Sequence, residues 1–271
     1  MTIEMKAGII QKYRTALWII VFLTGCASLP GIKTQEINGR EVAYSSKGDG
    51  TPVVVFETGM GPTMGTWEPI FDNVAEVTRV FAYNRPGYGW SSLWPLPKTA
   101  SDIIKILREN LRQTGHHPPY LLVGHSAGGL YVNMYARSYP EEVSGVVLID
   151  SSHPSQLEYF KDEKAWLYTM FILTTSTGKT SYESKILRNI HHEFEKLGPF
   201  PDIPLVVLTA EKSSLFETPD MRKHWLQFQR DLAGMSAKST HIIVEGSSHF
   251  IHQDRPELVI QAIKDVIKEI R

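Results

Sequence analysis

The feature that most constrains this chain is the stretch Tyr120-Leu121-Leu122-Val123-Gly124-His125-Ser126-Ala127-Gly128-Gly129-Leu130, where an apolar run stops at Gly-x-Ser-x-Gly and a helical pattern follows at once. That order calls for a strand turning sharply into a helix, with glycines where side chains would collide across the turn. Gly124 and Gly128 flank Ser126 at equal distance, and Gly129 lets the helix lie close to the sheet. A serine presented on such a turn beside a base is a candidate nucleophile. Taken alone, the same residues also describe a glycine-rich turn whose serine caps a helix.

The neighbouring sequence has the same character. Val53 to Phe56, Val80 to Tyr83, Val146 to Ile149, Leu205 to Leu208 and Ile242 to Val244 are short, unbroken runs rich in β-branched residues, as in strands buried on both faces of a parallel sheet. Helical patterns lie between them. Thr99-Ala100-Ser101-Asp102 resembles a capping box ahead of Ile103, Ile104, Leu107 and Leu111, and Asp254-Arg255-Pro256-Glu257 is expected to start a C-terminal helix in the same way. Asn38-Gly39 between alternating segments predicts an opening hairpin. The chain is therefore expected to be an α/β protein with a mostly parallel central sheet, helices on both faces and an antiparallel beginning. With 271 residues and 42% hydrophobic content, it can bury one large core in a single domain carrying an insertion. The insertion is placed at about 154 to 203, too long for a plain connection, and is expected to form a small helical cap over the sheet's carboxyl edge. Within it, Ser184 to Leu197 is predicted as one polar helix.

The N-terminus reads differently. Lys6, Lys12 and Arg14 precede the apolar run Ala16 to Leu23, which ends at Thr24-Gly25-Cys26. An apolar core of about eight residues suits a secretory signal and is too short to span a bilayer. Leu23-Thr24-Gly25-Cys26 resembles a bacterial lipobox, and Cys26 is the only cysteine, so the expectation is a signal peptide over 1–25, lipidation of Cys26 and a tether over 26–35 ahead of the domain at 36–271. A chain anchored in this way belongs to the bacterial cell envelope, and Ala27 after the cysteine favours the outer membrane or cell surface over the inner membrane. The membrane partner would be reached through the lipid. With 28 Lys and Arg against 29 Asp and Glu and no basic stripe, no nucleic-acid partner is expected.

A nucleophilic serine needs a histidine base, a carboxylate to orient it and two backbone N–H groups for the developing oxyanion. Of the ten histidines, His249 follows the last strand in Gly246-Ser247-Ser248-His249-Phe250, as the order serine, acid, histidine requires, with His252 as its nearest competitor. Asp150 ends the strand after the helix that follows Ser126 and is the first candidate acid; Glu211 is the alternative, followed by Glu217 and Asp220. His125 adjoins the nucleophile and is assigned to packing. His116-His117 and His191-His192 lack the spacing of metal ligands and are expected to be solvated. Neither a metal nor a cofactor is called for. Ala127 and Met60, the latter in Glu57-Thr58-Gly59-Met60-Gly61, are the candidate oxyanion donors.

Four pieces in this order, Glu57 to Gly61, Asn84-Arg85-Pro86-Gly87-Tyr88-Gly89-Trp90-Ser91, Gly124 to Gly128 and Gly246 to Phe250, resemble the α/β-hydrolase superfamily from about residue 36 to the C-terminus. The resemblance implies the α/β-hydrolase fold, Ser126 as nucleophile, His249 as base and an acid after the sixth or seventh strand. Thr58 stands where many relatives have histidine, and Ser213 occupies the commoner acid position, which strengthens Asp150. The implied activity is a serine hydrolase of carboxylic esters working through an acyl-enzyme, on a small and apolar ester. Amide, thioester, lactone and carbon–carbon bond hydrolysis remain open, as does a non-catalytic binding lipoprotein that keeps the fold.

Overall fold

A computed structural model describes residues 28–93, 95–212 and 217–271. The expectations for the signal peptide, for Cys26 and for Ser213 lie outside the described residues.

Among the described residues eight strands, β1 (Lys33–Ile37), β2 (Arg40–Lys47), β3 (Val53–Glu57), β4 (Val80–Tyr83), β5 (Tyr120–His125), β6 (Val143–Ile149), β7 (Leu205–Ala210) and β8 (Ser239–Val244), form one sheet in the order β1-β2-β4-β3-β5-β6-β7-β8. β1 and β2 form the expected hairpin, with Ile37 opposite Arg40 and Asn38 and Gly39 both at positive φ, as a two-residue hairpin loop requires. β2 pairs antiparallel with β4, and every later pairing is parallel. β1 begins within the segment expected to be a tether. Just before it, Leu29 is buried and the Pro30 carbonyl accepts a hydrogen bond from Ser45 Oγ, so this part of the segment is fixed to the sheet.

Helices α1 (Glu68–Ala75), α2 (Ala100–Gln113), α3 (Ala127–Ser138), α4 (Gln156–Glu163), α5 (Ala165–Thr175), α6 (Ser181–Leu187), α7 (Ile190–Phe194), α8 (Pro219–Ala233), α9 (Ile251–Asp254) and α10 (Pro256–Ile270) complete the described architecture. Successive strand residues feed two separate cores. Val53, Val55, Leu122, Val146 and Leu148 pack with α2 and α3, whereas Val54, Phe56, Leu121, Val123 and Val147 pack with α1 and α10. Burial on both faces explains why these strands lack polar alternation. β8 departs from that reading: it lies at the sheet edge, and Ile242 and Ile243 are exposed.

The capping box at α2 forms as the sequence suggests, with Thr99 Oγ1 accepting from Asp102 N and Asp102 Oδ2 accepting from Thr99 N. The second one does not. Asp254 belongs to α9 and turns its carboxylate back to Ser248, accepting from its N–H and hydroxyl at 2.6 Å each, while Arg255 precedes α10 without a side-chain cap. Asp254 thus ties down the loop that carries His249. The cap is helical, α4 to α7, but Ser184 to Leu197 is split between α6 and α7 rather than forming one helix.

Candidate active site

Ser126 sits between β5 and α3 with φ 53° and ψ −123°, a conformation that costs a non-glycine residue about 1–3 kcal/mol. Surrounding contacts leave little choice. Ser126 N donates to Ile149 O at 3.1 Å, and Ser126 O accepts from Gly129 N at 3.0 Å and Ser152 N at 3.1 Å. A Cβ on Gly124 would stand 2.6 Å from Val132 Cγ2, one on Gly128 2.3 Å from Glu57 O, and one on Gly129 2.0 Å from Ser151 Oγ. All three glycines therefore serve close approach, of helix to strand, of helix to the β3 loop and of helix to the β6 end. The partial positive charge at the start of α3 also falls beside Ser126.

Asp150 follows β6 and is the other site residue held at positive φ, 40°. Its N–H donates to Leu208 O at 2.7 Å, and its Oδ1 accepts from Ala210 N and Trp225 Nε1, both at 3.1 Å. The remaining oxygen, Oδ2, lies 2.6 Å from His249 Nδ1. With the carboxylate accepting, Nδ1 carries the hydrogen, and Nε2 is left to accept a proton. Asp150 is buried, while the His249 side chain is 42% exposed. The first-choice acid and base are thus brought together.

Two of the alternative acids, Glu211 and Asp220, are engaged elsewhere. Glu211 Oε2 accepts from Gly246 N at 2.8 Å, and Asp220 pairs with Lys164 at 2.7 Å. His252, the competing base, is fully buried, where its Nε2 lies 2.9 Å from Thr66 Oγ1 and its ring packs 4.7 Å from Trp67. Burial, reinforced by the nearby His249, pushes its pKa down to about 3. His116 is a correction: it is buried between Ser46 Oγ and Thr114 Oγ1 and packs on Phe81, whereas solvation was expected. Among the described residues no group of three or more His, Cys, Asp or Glu is arranged to hold a metal ion.

Ser126 and His249 open on one cavity of about 400 Å³, which Met60 and Ala127 also line. Gly59 lies against the elbow, since a Cβ on it would stand 3.2 Å from Ser126 Cβ. The Gly59 carbonyl accepts from Arg85 Nη2 at 2.7 Å. In a planar trans peptide the N–H points opposite to the C=O, so the Met60 N–H is directed away from Arg85. Most of the remaining wall is apolar, including Leu130, Leu157, Phe160, Phe171, Leu187 and Ile190, with Ser152, His153 and Gln156 as its polar part. Phe160 and Phe171 are cap aromatics that reach the cavity, whereas Trp166 is exposed.

Two supporting residues escape sequence reasoning. Trp225 lies far along the chain from Asp150 on α8, and nothing in the spacing of an aromatic residue on a half-buried helix marks it as a donor to a carboxylate. His125, assigned to packing, does more: its Nε2 lies 2.9 Å from the His249 carbonyl.

A family model described as alpha/beta hydrolase fold matches residues 52–171. The chain has the α/β-hydrolase fold. The uncharacterized protein YqjL of Bacillus subtilis is 29% identical over 223 residues, covering 81% of this chain and 85% of that protein. An uncharacterized protein of Schizosaccharomyces pombe is 25% identical over 227 residues, but this chain spans only 42% of its length. Among solved structures, the enol-lactonase of Burkholderia xenovorans superposes with a TM-score of 0.66 at 18% identity, covering 87% of this chain and all of that one, a likeness of fold.

Proposed function

We propose that this chain is a serine hydrolase acting on carboxylic esters. The observation that carries the reading is the Asp150–His249 hydrogen bond, with His249 lining the same cavity as Ser126, which sits on a strained strand-to-helix turn.

Ser126 Oγ attacks the ester carbonyl as His249 Nε2 takes its proton. Asp150, with its second oxygen occupied by Ala210 N and Trp225 Nε1, holds the ring and stabilises the imidazolium that forms. The N–H groups of Ala127 and Met60 receive the oxyanion. His249 then returns the proton to the leaving alcohol, leaving an acyl-enzyme, and the same residues activate water to release the acid. The apolar wall favours an ester with an apolar acyl group over a charged one. That a lactonase shares the fold is compatible with ester chemistry, because a lactone is a cyclic ester. The reading extends to the cell envelope: Cys26 is the attachment point for a lipid, and Cys26→Ser is expected to release the protein from membranes.

Steady-state hydrolysis of p-nitrophenyl esters of increasing chain length tests the reading. Asp150→Asn is expected to lower kcat by about 10⁴ and Glu211→Gln to change it less than about threefold. The reverse ranking would move the acid to Glu211.

A further inference from the structure

Behind the loop that carries Met60 lies a cluster of charge with almost no access to water. Arg85, Glu57 and Glu183 are each about 1% exposed or less. Arg85 Nη1 donates to Glu57 Oε1, to Thr58 O at 2.7 Å and to Thr58 Oγ1 at 3.1 Å. Its Nη2 donates to Gly59 O at 2.7 Å and lies 3.0 Å from Glu183 Oε1. Glu57 Oε2 accepts from Tyr83 at 2.6 Å, and Glu183 accepts from Tyr131 at 3.0 Å and from Tyr88. Tyr88 OH in turn accepts from Gly61 N at 3.3 Å.

The elements that meet here come from distinct parts of the chain. Glu57 ends β3, Arg85 follows β4, Tyr131 lies on α3, and Glu183 is on cap helix α6. A single guanidinium therefore binds two successive carbonyls of the loop, Thr58 and Gly59, and also the carboxylate of the cap. Two consequences follow from geometry. With the Gly59 carbonyl held to Arg85, the Met60 N–H is turned to the opposite side. And because Arg85 is fixed partly by Glu183, the angle of that peptide depends on α6 being seated.

We propose that Arg85 is a positioning residue which, through Glu183, couples the seating of the cap to the orientation of the Gly59–Met60 peptide, so that the oxyanion site is formed only when the cap is docked. The proposal rests on the reading of Ser126 as nucleophile and Met60 N–H as oxyanion donor. Burial raises the pKa of Glu57 against the lowering effect of Arg85, so one basic group is shared between two desolvated carboxylates. Arg85 is then held by competing partners, and weakening the cap's share alters how it holds the loop.

The cap has a second anchor that makes the inference testable. Glu193 on α7 accepts from Ala100 N at 2.9 Å and from Ser101 N at 3.0 Å at the start of α2, without touching Arg85. Glu183→Gln and Glu193→Gln each remove one charged cap contact, but only the first reaches the loop.

The experiment measures the second-order rate of fluorophosphonate labelling, together with hydrogen exchange of residues 58–61, in wild type, Glu183→Gln, Glu193→Gln and Arg85→Lys. Glu183→Gln is expected to slow labelling at least about tenfold and to speed exchange in the loop, with Arg85→Lys doing the same and Glu193→Gln staying within about twofold of wild type. Equal labelling and loop exchange in Glu183→Gln and wild type would overturn the coupling while leaving the nucleophile in place. Equal slowing in both cap variants would also overturn it, because a loosened cap alone would then explain the effect. If folded wild type failed to label at all, the reading of Ser126 would fall and this inference with it. Should Arg85→Lys not fold, Glu183→Gln with its Glu193→Gln control still decides the matter.

Discussion

His125 and His249 are joined by a hydrogen bond between a ring and a backbone: His125 Nε2 lies 2.9 Å from the His249 carbonyl. A carbonyl accepts, so Nε2 carries the hydrogen, and buried His125 Nδ1 is left without a hydrogen-bond partner in the described structure. The residue before the nucleophile thus holds the main chain of the base. Burial, with His249 and His252 adding to it, drives the His125 pKa well below that of a free imidazole, which keeps the ring in the neutral form this bond uses.

His125→Phe keeps an aromatic ring among its neighbours Phe250 and His252 but removes the bond. Losing one hydrogen bond of this kind, about 1.4 kcal/mol, is expected to cost about tenfold in kcat/KM. Ester hydrolysis measured beside the melting temperature checks it. Unchanged turnover would return His125 to a packing role.

Trp225→Phe removes one of the two donors to Asp150 Oδ1 and leaves Ala210 N. A hydrogen bond to a charged group contributes about 1.5–3 kcal/mol, and the variant is expected to lose stability in that range and turnover by several-fold. Urea unfolding and kcat are the measurements. A drop in stability with full activity would mean that Ala210 N holds the carboxylate by itself.

Gly128→Ala places a Cβ 2.3 Å from Glu57 O and 2.4 Å from Thr58 O, both backbone atoms that cannot rotate away. Either the loop bearing Met60 moves or α3 does, and a loss of activity of about a hundredfold or more is expected, on the scale of losing an oxyanion donor. Gly198→Ala, where a Cβ meets nothing within 4 Å, is the matched control and is expected to be neutral.

Acid is expected to destabilise the fold well before carboxylates titrate. His252 binds its proton near pH 6.5 when unfolded but only near pH 3 when folded, so between these values the unfolded state holds more protons and stability falls as pH falls. The slope for one such group is about 1.4 kcal/mol per pH unit. His252→Phe, which leaves Thr66 Oγ1 its bond from Gln253, is expected to reduce the slope by that amount in urea titrations between pH 6 and pH 4. An unaltered slope would mean that His252 is accessible to protons in the folded state.

The sheet was legible because its strands are covered on both faces, so Val53 to Phe56 and Val146 to Ile149 are apolar without interruption. The last strand was legible as a strand but not as an edge, since Ile242 and Ile243 share that composition but face solvent. Ser126, Asp150 and His249 could be chosen as candidates by chain order, because each sits at a strand end. The residues that hold them could not. Trp225, His125 and Arg85 act through contacts between segments far apart in sequence, and no local period records where a side chain on one segment meets a backbone on another. Asp254 shows the opposite hazard: its spacing before Pro256 looks like a cap, yet Ser248 offers it two donors, and it takes them.

Every step proposed for the site depends on Ser126 being a nucleophile activated by His249. The most direct test is peptide mass spectrometry after treatment of the protein, lacking residues 1–25, with a fluorophosphonate. One adduct on Ser126 is expected, absent in Ser126→Ala and formed at least about a hundredfold more slowly in His249→Ala. A folded wild-type protein that takes up no adduct, or takes it up at another residue, would contradict it.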